Sequence, residues 1–235
     1  VTGENGWEGA PKELSPPCTA VLAPHTTKEV INDIQMLNKI ARKLRSAREA
    51  AGGLSVGNAK LFIALDKNGQ PIDAVPYVIR EANEMIEDWM LLANRRVATR
   101  LSQKMPESAL LRNHRPPLER RVQEFAEFCE RENLGIINSA TPRDYSESLK
   151  LIKKNTAVSP YIADIITYFA IKPMQLAKYF CTGCLPESEW RHYALAFEYY
   201  THFTSPIRRY PDLMVHRQLQ CTLTSSTTVP RLPSD

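Results

Sequence analysis

The chain has 235 residues, 43% of them hydrophobic, and a formal net charge of only +4. That length and apolar share support a sizeable core in one or two domains and exclude an intrinsically disordered chain. The small net charge leaves any nucleic-acid attraction to local clusters; no run nears the roughly 18 apolar residues of a membrane span and no secretory apolar segment opens the chain, so a soluble cytoplasmic protein without membrane contact is expected.

Residues 1–25, rich in Gly, Pro, Ser and Thr, read as an irregular arm. Thr26 or Thr27 then caps a helix with Glu29 near its start and an apolar stripe of Ile31, Ile34, Leu37, Ile40, Ala41 and Leu44, ending near Ala51-Gly52-Gly53. Two apolar runs, 61–66 and 72–79, flank Asn68-Gly69, a strong hairpin signal, and strand-rich structure is expected only there. A second helix runs from 82 to about 103, and on it Glu87 and Asn94, seven residues apart, share one face. After a loop through Pro116-Pro117 a third helix covers 118–132, and the remainder is helical with breaks at Pro142, Pro160, Pro173 and Pro186. The fold class is α+β, mostly helical with a small antiparallel sheet portion.

Two basic clusters stand out. Residues 39–48 hold Lys39, Arg42, Lys43, Arg45 and Arg48 without an acid, and residues 95–121 hold eight Lys/Arg against Glu107 and Glu119. Each cluster is able to track a phosphate backbone, while a solvated helix face is the commoner fate of any one such residue. Five cysteines, Cys18, Cys129, Cys181, Cys184 and Cys221, show no framework spacing and read as reduced thiols. Cys181-Thr182-Gly183-Cys184 has no second cysteine pair, so a helix ending at Gly183 is the better reading than a zinc site.

The densest signal lies in residues 199–218. Thr204 or Ser205 is placed to cap a helix with Pro206 in its first turn, and Ile207, Tyr210, Leu213 and Met214 fall at core-facing spacing. Arg208 and Arg209 then stand near the positive end of the helix macrodipole, an unfavourable place for cations unless an anion or carboxylate meets them. Phosphate is one such anion; an internal Arg209–Asp212 or Arg208–Asp212 pair is the other reading. Seven of the chain's aromatic residues crowd between Trp190 and Tyr210, either as core or as faces for stacked bases.

The string Thr204-Ser205-Pro206-Ile207-Arg208-Arg209-Tyr210-Pro211-Asp212, with Val215-His216-Arg217 after it, resembles the signature of the RNB catalytic domain of RNase II and RNase R-type exoribonucleases. Ile86-Glu87-Asp88-Trp89-Met90-Leu91-Leu92-Ala93-Asn94 and Ala109-Leu110-Leu111-Arg112-Asn113-His114 are similar to two further segments of that family, in the same order. Lys178-Tyr179-Phe180-Cys181 and His192-Tyr193-Ala194-Leu195 resemble its eukaryotic cytoplasmic branch, which works without the exosome. The likeness implies a partial RNB domain over 26–222; the end that contains Ser225-Ser226-Thr227-Thr228-Val229-Pro230 reads as a disordered tail over 223–235.

What the resemblance implies is a processive 3′-to-5′ hydrolase of single-stranded RNA that releases nucleoside 5′-monophosphates, monomeric and magnesium-dependent when intact. Arg208 is then the catalytic residue, contacting the scissile phosphate, with Arg209, Arg112, His114, Tyr200 and Phe203 as RNA contacts. Glu87, Asn94 and Asp212 organise the centre without touching RNA. His114 has no orienting acid and reads as an RNA contact or solvated side chain rather than a general base. The family's Asp-x5-Asp-x-Asp-Asp cluster does not appear, and Asp66 and Asp73 lack its spacing, so no metal ligand is assigned and the chain is expected to be a fragment, inactive by itself. A catalytically inactive RNA-binding module and a helical scaffold with internally paired arginines are the alternatives.

Overall fold

The computed structural model describes residues 24–54, 61–76, 79–155 and 159–224 as an α+β fold. The arm expected at 1–25, apart from its last two residues, lies outside the described residues, as does the tail expected at 223–235 apart from its first two. No helix among the described residues is long and apolar enough to cross a membrane.

Helix α1 spans Thr27–Ala50 and opens as its sequence predicts. The Thr26 hydroxyl accepts from the Glu29 N–H at 3.3 Å, and the Glu29 carboxylate accepts from the Thr26 N–H at 2.8 Å. Strands β1 (Leu61–Leu65) and β2 (Pro71–Pro76) pair antiparallel around the expected turn. There the Asp66 carboxylate accepts from the N–H groups of Asn68 and Gln70, and Gly69 takes a φ of +78 that a side chain would resist. Helix α2 follows at Glu81–Lys104.

The apolar stripe of α1 does not face a core. Ile31, Ile34, Leu37 and Ile40 are exposed and only Ala41 is buried. On the same helix, Arg45 and Arg48 pair with Asp88 of α2, itself 3% exposed, at 2.8 Å and 3.1 Å. Arg45 also reaches Glu84 at 2.6 Å, and Arg42 pairs with Glu81. A carboxylate taken out of water must be met by donors. Ile31 and Ile34 share one face of α1 with Asn38, Ala41, Arg45 and Arg48, but the side-chain pairs with α2 run only from Arg48 back to Asn38, which meets Glu81 at the start of α2, so both isoleucines lie beyond them.

Strand structure is not confined to the hairpin. β3 (Leu110–Asn113) pairs antiparallel with β4 (Lys178–Cys181), with Leu111 opposite Phe180 and Arg112 opposite Tyr179. Each strand has only four residues, too few for an alternation to show in sequence. Side chains from elsewhere hold the sheet: Thr201 donates to the Leu110 carbonyl at 2.8 Å, and the Gln218 amide bridges the Leu110 N–H at 2.9 Å and the Ser108 carbonyl at 2.6 Å.

Helices α3 (Glu119–Arg131), α4 (Pro142–Lys154) and α5 (Pro160–Phe169) build one core from Val122, Phe125, Cys129, Tyr145, Leu149 and Ile166. Pro142 and Pro160 open their helices rather than break one, since the first turn needs no N–H. From 170 to 209 there is no α-helix, contrary to expectation, only β4 and the 3-10 turns Thr182–Cys184, Glu187–Glu189 and Tyr193–Leu195. Helix α6 (Tyr210–Leu223) closes a second core of Val97, Leu101, Leu111, Trp190 and Val215 with α2 and β3.

Gly183 sits in a 3-10 turn directly after β4 and does not end an α-helix. Its N–H donates to the Glu107 carbonyl at 3.0 Å, and a Cβ there would lie 2.4 Å from that oxygen. Gly183→Ala is therefore expected to lower stability by about 1–3 kcal/mol. A urea midpoint equal to that of the unsubstituted chain would contradict this close approach.

Candidate nucleic-acid interface

Residues 204–212 do not form the helix start that Pro206 suggests. The Ser205 carbonyl accepts from the N–H groups of Arg208 at 3.3 Å and Arg209 at 3.2 Å, closing a separate turn, and α6 begins afresh at Tyr210 with Pro211 in its first positions. Pro211 lacks the N–H that a continuous helix would bond to Ile207, so the chain has to restart. Ile207, Tyr210 and Leu213, expected in a core, are exposed; the buried positions of α6 are Asp212, Val215, Gln218 and Cys221.

Asp212, 0% exposed, reaches back to fasten the turn. Its Oδ1 accepts from the Ser205 N–H at 2.7 Å and from Arg209 Nη2 at 2.8 Å. Its Oδ2 lies 2.8 Å from Arg209 Nε in an ion-pair contact that is not an aligned hydrogen bond. The two arginines thereby separate. Arg209 folds inward onto a carboxylate, whereas Arg208 is exposed and makes no ion pair among the described residues. Of the readings the sequence left open, an Arg209–Asp212 pair forms and an Arg208–Asp212 pair does not.

Behind the turn stands Asn94, 3% exposed. Its Oδ1 accepts from the N–H groups of Phe203 at 2.9 Å and Thr204 at 3.2 Å, and its Nδ2 donates to Tyr200 Oη at 3.1 Å. One amide thus fixes the segment that enters the turn. Glu87, Asn94, Tyr200 and Arg209 line a single cavity of about 300 Å³ with Ile86 and Met90. The seven-residue spacing of Glu87 and Asn94 therefore corresponds to a shared wall, while Glu84 and Asp88 are engaged by α1.

The remaining sequence-predicted contacts differ in accessibility. Arg112 lies half-buried over the Tyr179 ring, 4.7 Å from its centroid. Phe203 is half-buried and stacks on His216 with centroids 4.2 Å apart. Tyr200 is 5% exposed and enclosed by the rings of His192, Phe197 and His202, so it offers the cavity wall and not a stacking face. His114, expected as an RNA contact or solvated side chain, is 7% exposed. Its Nε2 donates to the Gln175 carbonyl at 2.6 Å and its Nδ1 accepts from the Ala194 N–H at 3.1 Å, leaving no ring nitrogen for RNA. The fold drew it in because it joins β3 to the 3-10 turn at Tyr193–Leu195.

Sequence reading missed Tyr179 and His202, whose Oη and Nδ1 stand 2.5 Å apart. Tyr179 belongs to β4, and without the β3–β4 pairing nothing in the sequence brings the two together. Burial, with His114 and Arg112 nearby, pushes the His192 pKa down to about 3; burial, with Arg209 and Arg112, pushes His202 down to about 4. Both lie below the ordinary value of about 6.5, so the unfolded chain takes up protons first as pH falls. The stability these rings contribute is complete above about pH 6.5 and is lost on acidification toward about pH 4. Urea midpoints taken from about pH 7 to about pH 5 should fall, and His192→Asn should flatten the slope; an equal slope would exclude His192 as a source.

Six of the thirteen basic residues in the two clusters are engaged internally. Arg42, Arg45 and Arg48 pair with α2, Arg100 donates to Thr222, Arg115 pairs with Glu189, and Arg120 with Glu124. Magnesium asks for an octahedron of oxygens, usually with one or two carboxylates. Among the described residues no group of three or more His, Cys, Asp or Glu converges, and Asp212 is committed to Arg209 and Ser205. Glu87 on its own does not make a magnesium site.

The RNB domain family model matches residues 11–225. The chain is 41% identical over 212 residues to DIS3-like exonuclease 2 of Caenorhabditis elegans, covering 90% of this chain and 25% of that protein. It is 42% identical over 197 residues to the Inactive exonuclease DIS3L2 of Arabidopsis thaliana, covering 83% of this chain and 19% of that protein. In structure it resembles the Mycoplasma genitalium RNase R solved in complex with ribose methylated single-stranded RNA, with a TM-score of 0.73 and 25% identity over 89% of this chain and 31% of that one. The chain thus spans a quarter or less of the length of these two curated relatives. A family match running through α1 to α6 and across the Asn94-braced turn places this chain in the RNB exoribonuclease family.

Proposed function

We propose that this chain is the phosphate-positioning part of a cytoplasmic, monomeric 3′-to-5′ exoribonuclease that hydrolyses single-stranded RNA processively to nucleoside 5′-monophosphates. One observation carries the reading: Arg208 is exposed and, among the described residues, makes no ion pair, on a turn that Asp212 and Asn94 hold rigid, while its neighbour Arg209 is committed. A guanidinium kept free by the fold is available to a phosphate, and because its support is already ordered it meets developing charge without reorganisation. Arg209 and Glu87 shape the cavity beside it, with Tyr200 and Asn94 forming the wall. If the intact enzyme holds magnesium, groups other than the described residues would bind it, and it would supply an activated water.

A second reading is supported by the similarity to a relative named as an inactive exonuclease: an RNA-binding module without turnover. The full-length protein, given a 5′-labelled single strand and magnesium, is expected to shorten the strand from its 3′ end and release mononucleotides. Binding by fluorescence anisotropy without shortening selects the second reading. Absence of binding removes both.

A further inference from the structure

His202 stands one residue before Phe203, whose N–H is fixed by Asn94, and the charged groups that act on it are Arg209, Arg112, Asp212 and Arg208. The ring is locked edge-on between Tyr179 and Tyr200, with both centroids 5.6 Å away. Its Nδ1 is 2.5 Å from Tyr179 Oη. Arg112 decides the direction of that bond. A cation 4.7 Å from the Tyr179 ring centroid draws charge from the phenol and makes its O–H the better donor. The hydroxyl therefore donates to Nδ1, and the single proton of the neutral imidazole sits on Nε2.

That Nε2–H has no partner among the described residues. The contrast with its neighbours is informative: both ring nitrogens of His114 are engaged, and His216 spends its Nε2 on the Phe203 carbonyl. A half-buried donor left open beside a cavity wall, with its tautomer set from behind, has the properties of a preorganised binding group.

We propose that the His202 Nε2–H donates to an oxygen of the RNA strand held by Arg208, either a phosphate oxygen or a ribose hydroxyl, and that Tyr179 under Arg112 fixes the tautomer that makes this possible. The assignment rests on the RNA-directed reading above. A neutral donor orients an oxygen without adding another cation to a site that already has Arg112, Arg208 and Arg209.

Two substitutions separate this role from a structural one, because an Asn amide reaches the Nδ1 position and a Gln amide the Nε2 position. In the full-length protein, His202→Asn keeps the Tyr179 contact and removes the outer donor. It is expected to lose roughly 10- to 100-fold in kcat/KM on a single-stranded RNA, or in Kd if the protein binds without turnover, with its thermal midpoint unchanged. His202→Gln should retain most of the function. The opposite order, Gln impaired and Asn intact, would mean that His202 serves the fold through Tyr179. A 2′-deoxy strand identifies the oxygen: the Asn defect disappears there if a ribose hydroxyl is the acceptor and persists if a phosphate is. Equal constants for all three proteins on RNA overturn the His202 assignment alone, whereas failure of the unsubstituted protein to bind RNA overturns the proposed function and this inference together.

Discussion

Arg208→Ala in the full-length protein is expected to cut turnover of single-stranded RNA by roughly 10²- to 10³-fold while RNA affinity stays nearly unchanged. The side chain is exposed and makes no ion pair among the described residues, so its removal leaves the fold's own contacts in place. Surface truncations of that kind usually change stability by less than about 0.5 kcal/mol. The loss should therefore fall on kcat, because the guanidinium matters most when charge accumulates on the phosphate oxygens in the transition state. Arg208→Lys is expected to recover only part of the rate, since an ammonium replaces a planar fork with a point charge. Single-turnover rates beside anisotropy titrations test this; an unchanged rate, or a loss wholly in affinity, would remove Arg208 from the chemistry. Arg209→Ala makes a useful contrast, because its defect should show first in unfolding.

The parts of the fold written in short-range chemistry were legible. Thr26 and Glu29 start α1 through their own side chains, Asn68-Gly69 turns the hairpin, and the seven-residue interval puts Glu87 and Asn94 on one cavity. Each of those signals closes within a turn or two of chain. The unread parts depend on partners far apart in sequence. Asp88 takes up Arg45 and Arg48 of α1, and the side-chain pairs with α2 end at Asn38, which leaves Ile31 and Ile34 beyond them, an outcome that apolar periodicity does not encode. β3 and β4 find each other across the 64 residues between Asn113 and Lys178, and only that pairing explains why His114 is drawn inside and why Tyr179 meets His202. Pro206 was the reasonable candidate for a helix opener; Pro211 displaced it because one missing N–H five residues later forbids the longer helix.

Asp212→Ala should be the most damaging single change to the architecture of the turn, at about 3–5 kcal/mol. The carboxylate is fully buried and Arg209 is 19% exposed, so truncation strands a poorly hydrated cation and also leaves the Ser205 N–H without its acceptor. The intact pair need not be a large net stabiliser, since desolvating both ions offsets much of their attraction. Breaking it is costly for a different reason: the cation stays behind, at the N-terminus of α6, where the macrodipole is already positive. Asp212→Asn separates the two contributions. Its amide oxygen is able to keep the Ser205 N–H while the charge opposite Arg209 is gone, so it should fall between the unsubstituted protein and the alanine variant in urea midpoint. The same ordering should appear in turnover, because the turn that Asp212 fastens is the one that presents Arg208. Were Asp212→Ala as stable as the unsubstituted protein, the rigidity attributed to this turn would have to come from Asn94 alone, and the separation of an inward Arg209 from an outward Arg208 would lose its cause.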